Sequence, residues 1–273
     1  MEKILGDLIE RERLMYDRFS LAPKTLVTGV ISATGVVCGR LRGQELWSMT
    51  VRLDAWRIGN GPIRIERLVI HKKMNDDELR QLKAVIRPNS IFSAIVRLDE
   101  DAPNYPQALY EVSAPYTPVD VELEDYVHQM SKTVTIESDQ FGTFTLDRRL
   151  GWFLGKLSWN GSQVDLNLGT DQLEEMDGAL KVATHLFNET SIWSSCITTY
   201  AAENLLPLKN DSWLRDDEAE LTIDEFQSKM HLRGITVYPN GAFDFEYNDG
   251  GLFWGHAISV SGTIHSGPTR AEI

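Results

Sequence analysis

The sequence predicts an α+β protein in two parts: an N-terminal OB-like five-stranded β-barrel, then a C-terminal antiparallel sheet with two to three helices on one face. Three observations carry this. Short runs rich in Val, Ile and Thr with period-two alternation fill residues 25–114, interrupted once by a helical pattern. Beyond residue 170 the apolar period lengthens to three and four for two helices before strands return. Charge also divides the chain: residues 20–120 hold 13 Lys/Arg and 11 Asp/Glu, whereas residues 121–273 hold 10 and 24. With 273 residues, and about 150 per domain as a prior, two cores fit.

The chain opens with an amphipathic helix over residues 2–18, with Ile4, Leu5, Leu8, Met15 and Phe19 on one side. Strands follow at 25–37, 46–56 and 63–71, the last with Ile63 and Ile65 expected inward. Asn75 and Glu78 have the spacing of a capping box, so a helix starts there and buries Leu79, Leu82, Val85 and Ile86. Strands at 91–98 and 109–114 complete the order strand, strand, strand, helix, strand, strand, which is that of an OB barrel. The expected division is residues 1–22 as a helix, 23–118 as the barrel, 119–132 as a linker and 133–273 as an α+β domain.

In the second part, strands are expected at 133–137, 142–147, 151–159 and 163–168, with an Asn160-Gly161 hairpin turn. Helices are expected over 171–188 and 190–206, the second stopped by Pro207 and carrying Cys196 as a buried thiol. Thr222 and Glu225 form a second capping box for a short third helix. Strands at 232–238, 242–247 and 253–264 close the chain.

Composition bounds the function. The uncharged, Val- and Ile-rich stretch at residues 25–39 falls short of the ~20 apolar residues that span a bilayer. The acidic, mixed N-terminus has no presequence pattern, and two cysteines 158 positions apart make no disulfide framework. A cytoplasmic location is therefore expected. Phosphate-tracking proteins need clustered Lys and Arg, so nucleic acid is an unlikely partner for the acidic half. The Arg residues of the first half read as solvated strand faces.

No motif names a reaction, and no cofactor or metal is implied. Two candidate sites remain. In the first, Asp216, Asp217, Glu218 and Glu220 follow Trp213, which makes an acidic docking patch with an aromatic anchor for a basic protein. The second runs from Phe243 to His256. Asp244 and Glu246 share a strand face there, and Asp249 and His256 flank a glycine turn closely enough to pair, for acid-base work or as part of a metal site. Trp254 lies between them. Structural roles compete with function at each of these positions.

Residues 141–273 resemble a bacterial domain of unknown function, number two-two-six-two. The resemblance rests on Phe141-Gly142-x-Phe144, Asn210-x-x-Trp213-Leu214, Leu221-Thr222-x-x-Glu225-Phe226 and, above all, Asp249-Gly250-x-Leu252-Phe253-Trp254-Gly255-His256. The family brings no established reaction. It implies a binding role, since such domains often sit in toxin–immunity neighbourhoods. The first half is similar to the domain that sometimes precedes this one. The functional expectation is an intracellular bacterial binding protein of immunity-inhibitor type, whose acidic domain engages a basic partner. The alternative is an enzyme or metal-binding protein with its site at Asp249 and His256. Neither the oligomeric state nor the partner's identity is readable from the sequence.

Overall fold

A computed structural model describes residues 2–40, 44–113, 119–215 and 218–273, with side chains from residue 10 onward; the side chains of Ile4, Leu5 and Leu8, and Asp216 and Asp217 altogether, lie outside the described residues. The chain divides into two compact units, residues 1–132 and 133–273.

In the first unit, α1 (Glu2–Leu21) precedes β1 (Lys24–Gly39), β2 (Trp47–Ile58), β3 (Leu68–Met74), α2 (Asp76–Val85), β4 (Ile91–Asp99), β5 (Gln107–Ser113) and α3 (Val121–Ser131). The strands close into a barrel in the order β1-β2-β3-β5-β4. The long β1 pairs with both β2 and β4, and irregularities at Val30, Ile31 and Val36 let it bend from one partner to the other. Along β2, Met49, Val51, Leu53 and Ala55 face inward while Ser48, Thr50, Arg52 and Asp54 face out. The Asn75–Glu78 capping box is formed as read, and α2 buries Leu79 and Leu82.

Three local expectations change. The segment 63–67 makes only an isolated bridge, in which Arg64 alone exchanges backbone hydrogen bonds with Trp56 of β2, and Ile65 is left exposed. Val85 lies on the outer side of α2. Within the segment read as a linker, residues 121–131 form α3, which seats Leu123 in the barrel unit. Arg57, mostly buried, is ion-paired to Asp120 and to Glu122 at the start of this helix. The helix α1 packs Phe19 into the unit, with Arg18 on Asp99 at 2.9 Å and Glu12 on Lys73 at 2.7 Å.

The second unit is one eight-stranded sheet in the order β13-β12-β11-β10-β9-β8-β7-β6. Its first meander is β6 (Thr135–Ser138), β7 (Gly142–Asp147), β8 (Trp152–Trp159) and β9 (Ser162–Leu168). Helices α4 (Met176–Asn188), α5 (Thr190–Ser212) and α6 (Ile223–Lys229) follow. A second meander is β10 (His231–Val237), β11 (Ala242–Asn248), β12 (Ile258–Thr263) and β13 (Gly267–Glu272). All pairs are antiparallel except β9–β10, which is parallel because the three helices form the crossover between the meanders. Asn160 and Gly161 both take positive φ, as a two-residue hairpin of this kind requires.

The sheet is apolar on one face. Phe153, Trp159, Phe243, Phe245 and Val260 pack there against Val182 and Leu186 of α4, Trp193 and Ile197 of α5, and Phe226 of α6. Pro207 does not stop α5. Its ring and the orphaned Glu203 carbonyl sit on the exposed side, where water can satisfy the carbonyl, while Leu205 and Lys209 are held on the buried side. Cys196 is exposed rather than buried, since the inner stripe runs through Trp193 and Ile197. Residues 253–257 are not strand, and β13 is an additional edge strand. No helix among the described residues is long and apolar enough to cross a membrane.

Candidate functional site

The turn between β11 and β12 brings together Trp213, Trp254 and His256. It starts at Asp249, which is buried although charged. One carboxylate oxygen, Oδ2, accepts from the backbone N–H of Phe253 at 2.6 Å and of Gly255 at 3.1 Å. Burial pushes the Asp249 carboxyl up; the N–H groups of Phe253, Gly255, Gly251 and Asp249 itself outweigh that and hold it below the ordinary carboxylate value. Asp249 is thus the cap that folds the turn. No hydrogen bond or ion pair joins it to His256 among the described residues, so the expected carboxylate–imidazole pair is not made.

Leu252 and Phe253 point into the core, and the next residue is forced outward. Trp254 has φ of 56°, an unusual conformation for a bulky side chain, and is 59% exposed. The glycines around it make the bend possible. Gly250 has φ of 54° and packs so closely on the end of α6 that a Cβ there would lie 2.3 Å from the Lys229 carbonyl oxygen. The Trp254 ring sits 4.8 Å from that of Trp213, inclined at 57°. Trp213 also meets Phe253 at 5.6 Å and His256 at 5.5 Å, both edge to face.

Trp213 is itself held from behind. Lys209 is fully buried, and its Nζ donates to the Trp213 carbonyl at 2.8 Å and to Glu218 at 2.7 Å. That bond, with the Arg215 N–H, holds the Glu218 carboxyl below its usual range. Asn210 grips the N–H and carbonyl of Leu221 with its side-chain amide, both at 3.0 Å.

The other candidate residues lie elsewhere. Asp244 and Glu246 are on the sheet face away from the helices, where Asp244 accepts from the Tyr238 hydroxyl at 2.8 Å and Glu246 from Arg233 at 3.2 Å. Within the acidic run, Glu218 is committed to Lys209, Glu220 is exposed, and Asp216 and Asp217 fall outside the described residues. Lys209 went unread in the sequence, and Asn210 entered only as part of the family pattern. The available signal was a lysine four residues after Leu205, on the apolar stripe of α5. No group of three or more His, Cys, Asp or Glu able to hold a metal lies among the described residues.

Residues 138–273 match the family model described as an uncharacterized protein conserved in bacteria, DUF2262. The C-terminal half of the chain is a DUF2262 domain. Residues 12–130 match a second model, a domain of unknown function, DUF7021. No curated protein matches the chain. Among solved structures, a chain of a replication protein A heterotrimer bound to single-stranded DNA is similar at 9% identity and a TM-score of 0.27. That likeness covers 56% of this chain and 40% of the other, and is too slight to carry an argument.

The Lys209–Glu218 pair makes a stability prediction for the DUF2262 domain. A buried cation left without its counter-ion is strongly destabilising, whereas replacing the pair by apolar groups is often neutral. Glu218→Ala should therefore lower the thermal midpoint of this domain by several degrees, moderated by the 29% exposure of the Glu218 side chain, which lets water reach the ammonium. Lys209→Met in the same chain should restore most of the loss. Tryptophan fluorescence reads mainly this domain, which holds five of the seven tryptophans.

Proposed function

We propose that the chain is a binding protein of immunity-inhibitor type, in which the DUF2262 domain docks a basic protein partner on the Trp254 turn. The observation that carries this reading is Trp254, a large aromatic side chain left 59% exposed by a turn built to hold it there. Trp is over-represented among the few residues that dominate binding energy at interfaces. Strained backbone maintained by its surroundings tends to mark functional positions. The charge balance supplies the partner's sign: residues 133–273 hold 9 Lys/Arg against 21 Asp/Glu. Such an imbalance speeds association with a positively charged protein and makes it sensitive to salt.

Capture from bacterial lysate with wild-type chain and with Trp254→Ala tests the reading. A basic protein retained at low salt, released at moderate salt and lost with Trp254→Ala is the expected result. The same protein retained equally by both chains would remove the Trp254 turn from the interface. Trp254→Ala should leave the thermal midpoint within about 2 °C, because an exposed side chain contributes little to stability.

A further inference from the structure

We infer that the corner between Trp254 and Trp213 receives a cationic side chain of the partner, an arginine guanidinium, over the Trp254 ring. The inference rests on the docking reading above and names the chemistry of its central contact.

The barrel unit already shows how this chain uses cations with aromatic rings. Arg40 lies over Trp47 at 4.6 Å, Arg64 over Trp56 at 4.7 Å, Arg67 over Tyr105 at 5.3 Å and Lys72 over Tyr110 at 4.7 Å. In the DUF2262 domain, with five tryptophans, no such pair occurs among the described residues. Lys209, behind Trp213, is fully buried and bonded to Glu218 and the Trp213 carbonyl. Arg215, two residues beyond Trp213, is exposed, and its guanidinium lies over neither ring.

An indole left 59% exposed, in a domain with a large negative excess and with no described cation over it, is complementary to a cation from outside. The second ring, inclined at 57°, adds a wall to the same corner. Arginine fits better than lysine, because its planar, weakly hydrated guanidinium stacks on an indole.

Fluorescein-labelled hexa-arginine, hexa-lysine and hexa-citrulline peptides, titrated into the full chain and read by anisotropy at low salt, test this. Hexa-arginine should bind more tightly than hexa-lysine, and hexa-citrulline, similar in shape but uncharged, should not bind. Trp254→Ala should weaken hexa-arginine binding about two- to fivefold and Trp254→Phe less, the range of exposed cation–π contacts.

Hexa-arginine binding unchanged in Trp254→Ala would overturn the inference while leaving an acidic docking domain in place. Equal binding of hexa-citrulline would assign the corner to uncharged stacking and overturn it as well. A dimer of the chain that Trp254→Ala dissociates would assign the corner to a second copy instead. No binding of hexa-arginine to the wild-type chain would remove both this inference and the docking reading.

Discussion

Replacing Asp249 by Ala is expected to cost the C-terminal unit about 2–4 kcal/mol, on the scale of two backbone donors that lose a charged acceptor. The buried carboxylate accepts from Phe253 and Gly255, and neither N–H makes another hydrogen bond among the described residues. Without it the turn loses the constraint that keeps Trp254 at positive φ, so partner binding should fall with stability. Asp249→Asn keeps an oxygen at the same place and should recover more than half of the loss.

The charge gives this a pH signature. The Asp249 carboxyl is held below its ordinary value in the folded chain, so it contributes stability above the unfolded value near 4, and that contribution is lost as pH falls through the folded one. Denaturant unfolding followed by tryptophan fluorescence checks all three chains. A stable Asp249→Ala chain that still presents Trp254 would contradict the role given to the cap.

Acid should weaken the barrel unit through a different group, His71. Its imidazole lies on β3 under α1, 6.0 Å from the Phe19 ring, and its Nε2 is buried with no hydrogen-bond partner. Burial pushes its pKa down to about 4 from 6.5, against the opposing pull of Glu12, whose carboxylate is itself paired with Lys73. The unfolded chain therefore takes up a proton that the folded chain refuses.

The stability this contributes is present above about pH 6.5 and is lost as pH falls toward 4. Its full size is on the order of 3 kcal/mol, at about 1.4 kcal/mol per pKa unit. His71→Phe should flatten that acid limb while leaving stability at neutral pH nearly unchanged. An NMR titration of the His71 ring, with denaturant unfolding at pH 7.5 and 4.5, measures both sides. A His71 that titrates near 6.5 in the folded chain would overturn the assignment.

Local pattern made most of the fold legible. The barrel followed from alternating strands and from Asn75 and Glu78, whose capping is a matter of spacing alone. The sheet and its helices followed from the change of period. What escaped depends on partners distant in sequence. The parallel pairing of β9 with β10 leaves no trace in either strand, since it arises from the length of the crossover. Pro207 is tolerated because its side of α5 faces water, which the proline itself cannot announce. The edge strand β13, with Pro268, Thr269 and Arg270, lacks the apolar alternation that marks a strand.

The site divides in the same way. Trp213, Trp254 and His256 were readable as candidates, and the structure gathers them. The reading of Asp249 with His256 was drawn from nearness in sequence. The tight turn defeats it by aiming the carboxylate at its own backbone, leaving the imidazole against Trp213. The acidic run looked like a single surface patch, yet Glu218 is turned inward by Lys209, a residue that local pattern did not single out.

The measurement that bears most directly on the central claim is photo-crosslinking in living bacteria, with benzoylphenylalanine placed at position 254 and, as a control, at the equally exposed Leu173. The docking account predicts one crosslinked protein of basic isoelectric point from position 254 and none from 173. A partner captured from 173 and not from 254, or an acidic protein captured from 254, would contradict it.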